Sequence, residues 1–522
     1  MTLKPLGDSA WLVEFADGTP PDRVMRLVAA LGKNRPAGLL DVVSSFASVA
    51  VHFKGAEVRG WIESALADDV DVETTAGGDF EIPVCYDGPD LEEVAAGVGL
   101  TADEVIALHS GADYTVAAVG FSPGFPYLSG LPDRLNVPRR QTPRLAVPAG
   151  SVAIAGGQAG IYPFTSPGGW HVLGRTGATL FDPALSPPAL LSPGDRVRFV
   201  PVERIEFFER SAGVSSELTK NFIEVIRAGA LTTVQDLGRP GYESSGVSPG
   251  GAVDRATLRM ANWLVGNDEG AACLEICLSG PVLKFHADAV IAYFDGTGRP
   301  QRVAAGETVD FSKLKSGVRA CLAVSGGFAV PSVLGSAATD LRAGFGGYSG
   351  RALQAGDRLH FGEVNPAPRG DGWHVGRTGR DSPIELRFIP GVQDDWFSAE
   401  AKRRFRETLY QLTPKSDRMG ARLSGGNPEL ATPREMISQP VACGSVQVPP
   451  DGQPIVLMAE RQTIGGYPQI GHVISVDLPK LARAWPGTSV KFREVTLEQA
   501  RELKYREERD FALLRTGLEL LK

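Results

Sequence analysis

The chain has 522 residues, of which 43% are hydrophobic and 22% charged, and its formal net charge is −8. This composition excludes a largely disordered or fibrous chain, and the acidic balance argues against nucleic acid as a partner, which requires a basic surface. The length predicts about three or four domains. Glycine and proline number 62 and 38, an excess over average usage that predicts many turns and a β-rich protein.

The first 80 residues alternate short strand-like and helix-like patterns, which predicts a small α/β domain over residues 1–80. The predicted elements are a strand Ala10–Phe15, a helix Asp22–Leu31, a strand Ser48–Phe53, a helix Ala56–Leu66 and a strand Phe80–Tyr86. No signal peptide is expected, because the first residues lack a long apolar core and a small-residue cleavage site. We therefore expect a cytoplasmic protein.

A β-rich region follows the first domain. Two helices are predicted near residues 90–97 and 102–110, and Thr101 with Glu104 forms a capping-box pattern at the start of the second. Residues 115–200 indicate short strands separated by proline and glycine. Ten of the 30 residues in the uncharged stretch 145–174 are Gly or Pro, which disfavours a membrane helix.

Two boundaries are predicted further along the chain. Glu209–Asn221 is polar and contains serines, as expected of a linker, although it also fits an ordinary helix. A second break in the strand pattern falls near residues 364–381. The five cysteines are too few and too scattered for a disulfide scaffold, so Cys273 and Cys277 are interpreted as buried thiols rather than zinc ligands.

Internal echoes indicate a repeated unit. Gly150–Leu173 and Gly444–Ile474 both begin Gly-Ser-Val, pass through a glutamine and a Tyr-Pro pair, and end near His-Val. Chance similarity between Gly- and Pro-rich segments is the alternative, but the shared order and spacing favour a repeat of a β-barrel-like unit. Three turn-plus-strand segments, at 193–199, 355–361 and 486–492, are each predicted to close one domain.

Two segments match the G-x-S-x-G pattern of a hydrolase nucleophile elbow: GFSPG at 120–124 and GVSPG at 246–250. In that elbow the residue after the serine donates its backbone N–H to the oxyanion hole. In this chain that residue is Pro123 or Pro249, and proline has no N–H. We therefore interpret both segments as rigid turns, while a tight substrate-facing loop stays open as an alternative.

Arginines beside the uncharged stretch are the first candidate site. Arg139, Arg140 and Arg144 lie in a proline-stiffened loop, and guanidinium groups suit carboxylates and phosphates. Solvated surface arginines are the alternative interpretation. The uncharged segment that follows favours a small pocket with a cationic rim, which would suit a small anionic substrate.

Long segments of the chain resemble known families. GFSPGFPYLSGLP (120–132), PRRQTPRLAVPAGSVAIAGGQAGIYPFTSPGGWHVLGRT (138–176) and PGDRVRF (193–199) resemble the B subunit of 5-oxoprolinase, also called allophanate hydrolase subunit 1 or Kip-inhibitor-like. From about residue 222 the chain resembles the companion C subunit, also called allophanate hydrolase subunit 2 or Kip-antagonist-like. The segments that carry this second resemblance are LTTVQDLGRPGY (231–242), GGAVDRATLRMANWLVGN (250–267), GGFAVPSVLGS (326–336), SDRMGARLSG (416–425) and SVQVPPDGQPIVLMAERQTIGGYPQIG (445–471).

The resemblance implies a mainly β architecture of cyclophilin-like β-barrels beside the small α/β domain. The domains implied are 81–208, which resembles the B subunit, a linker at 209–221, and two domains at 222–365 and 366–522 that resemble the C subunit. It also implies a component of ATP-dependent 5-oxoprolinase, which opens 5-oxoproline to glutamate. That enzyme needs a separate LamB/YcsF-like A subunit, and we expect an oligomeric assembly with ATP as co-substrate, accompanied by Mg²⁺.

The positions that match the families' motifs supply the candidate site residues. As catalytic groups the resemblance suggests His171, Asp236, Arg239 and Asp254. As substrate-binding groups it suggests Arg139, Arg140, Arg144, Gln158, Tyr162, Arg175, Arg418, Gln462 and Tyr467. No resident metal is expected.

Two other functions stay open. The same paired domains occur in urea carboxylase, so a carboxyltransferase module acting on a urea-like substrate is one alternative. The chain has no Met-Lys dipeptide and hence no biotin attachment motif, so biotin would arrive on another chain. The other alternative is a regulatory protein that binds a histidine kinase, as implied by the Kip-like resemblance.

Overall fold

The computed structural model describes residues 1–16, 19, 21–55, 58–68, 77–205, 220–367, 373–376, 383–432, 434 and 436–521. Within them the protein is mainly β, with barrels and a small α/β unit, which confirms the predicted fold class. No helix in these ranges is long and apolar enough to cross a membrane. Most of the predicted linker, 209–219, lies outside the described residues, as do 368–372 and 377–382 of the second boundary region.

The first unit is a four-stranded antiparallel sheet, ordered β1-β2-β4-β3, with two helices. Its elements are β1 Thr2–Pro5, β2 Ala10–Glu14, α1 Pro21–Gly32, β3 Leu39–Ser44, β4 Ser48–Phe53 and α2 Arg59–Asp68. Successive side chains of a strand point to opposite faces. Trp11 and Val13 pack with the helices, whereas Ala10 and Leu12 join a cluster shared with later units. Both faces of this sheet are therefore covered.

The second unit is a seven-stranded sheet, ordered β12-β9-β10-β7-β6-β13-β5, whose ends meet through a bridge between Cys85 and Arg175. Helix α4 begins with the predicted capping box of Thr101 and Glu104. The elements are β5 Asp79–Val84, α3 Leu91–Val98, α4 Ala102–Ser110, β6 Tyr114–Val119, β7 Pro126–Ser129, β8 Arg144–Val147, β9 Ser151–Ala155, β10 Gln158–Ile161, β11 Ser166–Gly168, β12 His171–Arg175 and β13 Arg196–Pro201.

The third unit divides its main strands between two sheets, β21-β17-β14-β23 and β15-β16-β22-β18-β20, around a common apolar core. Its helix α5 packs against β18 and β22. The elements are β14 Phe222–Arg227, β15 Leu231–Gln235, α5 Arg255–Leu264, β16 Cys273–Cys277, β17 Val282–Phe285, β18 Ala289–Phe294, β19 Thr297–Gly298, β20 Pro300–Val303, β21 Thr308–Asp310, β22 Arg319–Val324 and β23 Arg358–His360.

The fourth unit is a closed barrel, ordered β25-β32-β29-β30-β27-β26-β33, followed by a long helix. The elements are β24 Val375–Gly376, β25 Ile384–Pro390, α6 Ala399–Glu407, β26 Tyr410–Leu412, β27 Gly420–Ser424, β28 Gln439–Pro440, β29 Ser445–Gln447, β30 Ile455–Leu457, β31 Ile464–Gly465, β32 Gln469–Val473, α7 Leu478–Ala482, β33 Ser489–Glu494 and α8 Leu497–Glu519. Strand β24 pairs with β19 of the third unit.

The second and fourth units share one topology. In each, the first and last strands pair in parallel, β5 with β13 and β25 with β33, and the intervening strands follow the same order around the barrel. The predicted sequence repeat therefore corresponds to a structural repeat. Its first segments form the equivalent strands β9 and β29, and its last segments form the equivalent strands β12 and β32. The middle does not match, since Gln158 begins β10, whereas Gln462 lies after β30, the strand equivalent to β10.

The first, second and fourth units meet around one shared apolar cluster. It contains Leu12 of the first unit, Tyr127 and Trp170 of the second, and Ala442 and Ile464 of the fourth. Burying aromatic side chains between units stabilises their association because their apolar area leaves water. The cluster fixes the relative positions of the loops that carry the polar groups described next.

Candidate functional site

The arginine loop of the second unit is held by one buried carboxylate. Asp90, whose side chain is 1% exposed, accepts two hydrogen bonds from Arg144, at 2.6 and 2.8 Å, and one from Arg140 at 2.9 Å. It also accepts the backbone N–H of Val172 at 2.7 Å. The structure thus brings Arg140 and Arg144 together on an acid 50 residues or more earlier in the chain. Their contact with a substrate anion stays a prediction.

This arrangement has a consequence for acid stability. Burial raises the pKa of Asp90, but the hydrogen bonds from Arg144 and Val172 and the charges of Arg144 and Arg140 lower it below its ordinary value of 3.8. A carboxyl group whose pKa is lower in the folded chain stabilises the fold above the unfolded-state pKa, and that contribution is lost as pH falls through the folded-state value.

We therefore expect Asp90→Asn to lower the free energy of unfolding by about 2 kcal/mol at pH 7. The difference from the parent chain should shrink as pH falls below 3.8, as measured by urea unfolding at a series of pH values. Asp87→Asn is the control, because Asp87 pairs with Arg175 at the surface, where ion pairs contribute little. A difference for Asp90→Asn that is constant with pH would contradict this assignment.

The other predicted residues of this unit lie around the same loop. His171 places Nε2 3.0 Å from the Pro138 carbonyl oxygen, and Arg175 pairs with exposed Asp87 at 2.6 Å. Arg139 is exposed. Burial raises the pKa of Tyr162 to about 12, although the positive charge of nearby Arg139 lowers that pKa. Gln158 is half-buried at the start of β10.

Three of these groups resemble a cation site in their spacing. Ligand atoms of Asp90, Glu93 and His171 all lie within 4.8 Å of one another. The oxygens of Asp90, however, already accept hydrogen bonds from two guanidinium groups and a backbone amide. Two adjacent positive charges oppose a divalent cation, so the geometry favours an anchor for the loop rather than a metal site.

Asp236 and Asp254, the predicted acids of the third unit, accept hydrogen bonds from neighbouring loops and from the start of a helix. Asp236 accepts hydrogen bonds from the Gly238 amide at 2.7 Å, the Ser336 hydroxyl at 2.6 Å and the Ala337 amide at 2.7 Å. Asp254 caps α5 by accepting the backbone N–H of Thr257 at 3.0 Å and its hydroxyl at 2.7 Å. A capping carboxylate of this kind stabilises the first turn of a helix.

Arg239 is enclosed, with 1% of its surface exposed. It donates to the Val333 carbonyl at 3.4 Å and to the Ala338 carbonyl, and its guanidinium lies 4.8 Å from the Phe345 ring centre. Burial lowers the pKa of Arg239, while the charges of nearby carboxylates act in the opposite direction. Its Nη1 atom is buried with no hydrogen-bond partner among the described residues.

Arg418 joins the fourth unit to the third. Its guanidinium contacts two buried carboxylates, with Nε 2.6 Å from Glu460 and Nη1 on Glu275, and Nη2 donates to the Gly251 carbonyl at 2.6 Å. Burial would lower the pKa of Arg418, but the two carboxylates raise it above its usual range. All three nitrogens are therefore engaged by the protein itself.

The last two predicted residues lie near β31. Gln462 is half-buried, Tyr467 is exposed, and the Tyr467 carbonyl accepts a hydrogen bond from the Gln447 side chain at 3.4 Å. The structure does not bring the predicted residues into one cavity: one group surrounds the Asp90 loop, and the others lie in the third and fourth units.

The two G-x-S-P-G turns face each other across the units. The Gly124 amide donates to the Ser245 carbonyl at 2.9 Å, and Gly246, with a φ of +78°, lies directly against the Ser122 carbonyl. A strand, β7, follows the first turn rather than the helix of a nucleophile elbow. The first segment forms a turn, as predicted, and the two segments form a contact between the second and third units.

This contact gives a test at one glycine. A Cβ at Gly246 would overlap the Ser122 carbonyl, whereas a Cβ at Gly335, with a nearly equal φ of +77°, meets nothing within 4 Å. Both alanine variants carry the backbone cost of a positive φ, about 1 kcal/mol. We expect Gly246→Ala to lower the free energy of unfolding by about 3 kcal/mol because the overlap adds to that cost. Equal losses in urea unfolding would refute the close contact.

A buried ionic group lies beside these turns. Glu243 and Arg461, each with a side chain 3% exposed, form an ion pair, and His52 Nδ1 lies 3.8 Å from Glu243. The Ser244 amide donates to Asp41 at 2.9 Å. Burial raises the pKa of Glu243, but the charges of His52 and Arg461 lower it below its usual range. The first, third and fourth units thus meet at one carboxylate.

Two further groups adjoin this ion pair. Arg255, the first residue of α5, has an exposed side chain that donates to the Gly250 carbonyl at 3.2 Å. Cys443 is also an exposed residue, and its Sγ lies 3.7 Å from the Leu457 carbonyl oxygen. The charges of Arg255 and Arg461 act on that thiol, and Arg461 and Glu243 act on Arg255. The Ser248 hydroxyl donates to the Arg461 carbonyl. We call this region the junction: it comprises Asp41, His52, Ser122, Glu243, Ser248, Arg255, Cys443 and Arg461.

No residue of the junction belongs to the set of predicted residues. Asp254 belongs to that set but its neighbour Arg255 does not, and Gln462 belongs to it but Arg461 does not. The feature of the sequence that points to the junction is the pair of G-x-S-P-G segments, one in each half of the chain. Sequence spacing does not reveal that these turns meet.

Comparisons with known proteins agree with this architecture. Residues 1–191 match the family described as carboxyltransferase domain, subdomains C and D, and residues 245–494 match carboxyltransferase domain, subdomains A and B. The chain is 38% identical over 316 residues to the C subunit of 5-oxoprolinase from Escherichia coli (strain K12), covering 56% of this chain and 97% of that protein. It is 36% identical over 226 residues to the B subunit of 5-oxoprolinase from Bacillus subtilis (strain 168), covering 39% and 94%.

A solved structure covers both halves together. The crystal structure of TTHA0988 superposes with a TM-score of 0.81 at 35% sequence identity, covering 93% of this chain and 99% of that one.

Proposed function

Because the chain belongs to the carboxyltransferase-domain family that includes the B and C subunits of 5-oxoprolinase, we propose that it is a component of an ATP-dependent 5-oxoprolinase. One observation carries the proposal: the halves that resemble these two subunits lie in one chain and share a buried contact, in which His52 Nδ1 lies 3.8 Å from Glu243 and the Ser244 amide donates to Asp41 at 2.9 Å. The reaction opens 5-oxoproline to glutamate together with a LamB/YcsF-like A subunit.

The chemistry sets what the site must supply. A lactam is an unreactive amide, so its oxygen first attacks the γ-phosphorus of ATP and ADP leaves. Water then adds to the activated carbon, and the C–N bond breaks as the nitrogen takes up a proton. A second water hydrolyses the resulting acyl phosphate to glutamate and phosphate. The site therefore needs cations for the substrate carboxylate and for phosphate, and donors for developing oxyanions.

The arginines of this chain match that need. Arg139 is exposed beside buried Tyr162, and Arg255 is exposed beside the Glu243–Arg461 pair. We propose that this chain supplies cationic groups for the substrate, while ATP, with its Mg²⁺, enters as a co-substrate of the assembled enzyme.

The proposal is tested by measuring phosphate release from ATP with and without 5-oxoproline. This chain by itself, a purified LamB/YcsF-like protein by itself and their mixture are compared. We expect release that depends on 5-oxoproline only in the mixture. Urea-dependent activity with biotin on another chain would favour the carboxyltransferase alternative, and binding to a histidine kinase without turnover would favour the regulatory one.

A further inference from the structure

Among the described residues, the junction contains buried hydrogen-bond donors that no acceptor of the protein engages. Arg461 gives Nη2 to Glu243, while its Nε and Nη1 atoms are buried with no partner among the described residues. The Ser122 hydroxyl is also buried with no hydrogen-bond partner among the described residues. Buried donors without partners are costly in native proteins, so two of them on one guanidinium favour a bound acceptor at this place.

The acids of the junction are already engaged. Glu243 is shared by Arg461 and His52, and Asp41 accepts the amides of Ser244 at 2.9 Å and Val42 at 2.8 Å. Asp8, whose charge also acts on Cys443, accepts the amide and hydroxyl of Ser475 at 3.0 and 2.7 Å.

The junction is open to solvent although protein surrounds it. The side chains of Arg255 and Cys443 are exposed, yet burial lowers the pKa of Arg255 and raises that of Cys443. A side chain satisfies both conditions when it lines a solvent-filled cleft inside the molecule. Repulsion from Arg461 also lowers the pKa of Arg255, so a bound anion would relieve two positive charges at once.

We propose that Arg255 and Arg461 form an anion-binding site at the junction, beside Cys443, that receives a carboxylate or phosphate group of the substrate. The substrate assignment rests on the proposed function, whereas the anion site rests on the unpartnered buried donors of Arg461 and on the charge interactions among Arg255, Arg461 and Cys443. Guanidinium groups bind carboxylates and phosphates through charge-assisted hydrogen bonds.

Charge-selective alkylation of Cys443 tests the site without requiring turnover. Iodoacetate and iodoacetamide both react with the same thiolate, so the ratio of their rates cancels the thiol pKa and isolates the charge of the reagent. Cys85, half-buried between Asp87 and Arg175, is the internal reference. We expect the iodoacetate-to-iodoacetamide ratio to be about tenfold higher at Cys443 than at Cys85, as measured by peptide mass spectrometry on the full chain.

Variants assign the effect to the arginines. Arg255→Gln should bring the ratio at Cys443 to within about twofold of that at Cys85, and Arg255→Lys should keep most of the preference. Arg302→Gln removes the same charge from an exposed position on β20 and should change nothing. An equal ratio at both cysteines, no labelling of Cys443 by either reagent, or a preference that survives Arg255→Gln would overturn the proposal.

Protection distinguishes the source of the anion. Slower labelling with 5-oxoproline but not with 2-pyrrolidinone, which lacks the carboxylate, identifies a carboxylate site. Slower labelling with inorganic phosphate identifies a phosphate site. If neither 5-oxoproline nor phosphate protects Cys443, the substrate assignment fails, whatever the turnover assay gives. Protection without turnover instead supports the anion site and counts against the proposed function.

Discussion

Replacing Arg418 by methionine should lower the free energy of unfolding by more than either Asp90→Asn or Gly246→Ala. The substitution leaves Glu275 and Glu460 buried without their shared cation. Breaking a buried ion pair from one side costs about 3–5 kcal/mol because the remaining charge is uncompensated. The loss should appear in urea unfolding as an earlier transition of the third and fourth units, whose contact passes through Arg418.

The controls separate this effect from a general loss of an arginine. Arg422→Met, four residues further on and exposed on β27, should change the free energy of unfolding by less than about 0.5 kcal/mol. Adding Glu275→Gln and Glu460→Gln to Arg418→Met should recover part of the loss, because the buried negative charges are then removed. Equal stability of the Arg418→Met and Arg422→Met variants would contradict the buried ion-pair assignment.

Replacing Arg255 by glutamine should reduce catalysis without unfolding the chain. Arg255 is an exposed residue and forms no ion pair within the described part of the chain, so the fold does not depend on its charge. Truncating one partner of a charged contact with a bound anion costs about 2 kcal/mol or more. We therefore expect kcat/KM for 5-oxoproline in the assembled enzyme to fall about 30-fold or more, with an unchanged circular dichroism spectrum.

Two matched variants locate the anion contact. Arg302→Gln should leave kcat/KM unchanged. Arg139→Ala tests the arginine loop of the second unit, since Arg139 is exposed there while Arg140 and Arg144 are held by Asp90. If Arg139→Ala abolishes turnover and Arg255→Gln does not, the substrate anion lies in the second unit and the junction assignment is wrong.

Local patterns were sufficient to predict many elements. The capping box at Thr101 and the strand Ser48–Phe53 both appear as expected. Each of these depends on residues within a few positions of one another, where periodicity and capping chemistry act. The repeat was also predictable, because its two copies place Gly-Ser-Val at the start of equivalent strands.

The grouping of the site residues was not predictable in this way. Arg144 finds its partner Asp90 54 positions earlier, and Arg461 pairs with Glu243 across 218 positions. No local pattern reports which charges meet after four units assemble. Arginines that looked available for an anion are therefore engaged by acids, whereas Arg255 and Arg461 gain their environment from the contact between the third and fourth units.

The most direct test of the central claim is the ratio of glutamate formed to ADP formed when the chain is mixed with a LamB/YcsF-like protein, 5-oxoproline and ATP. The proposed function predicts one glutamate for each ADP in the mixture and none from either protein by itself. ADP formation that does not depend on 5-oxoproline, or an absence of glutamate from a verified complex, would contradict it.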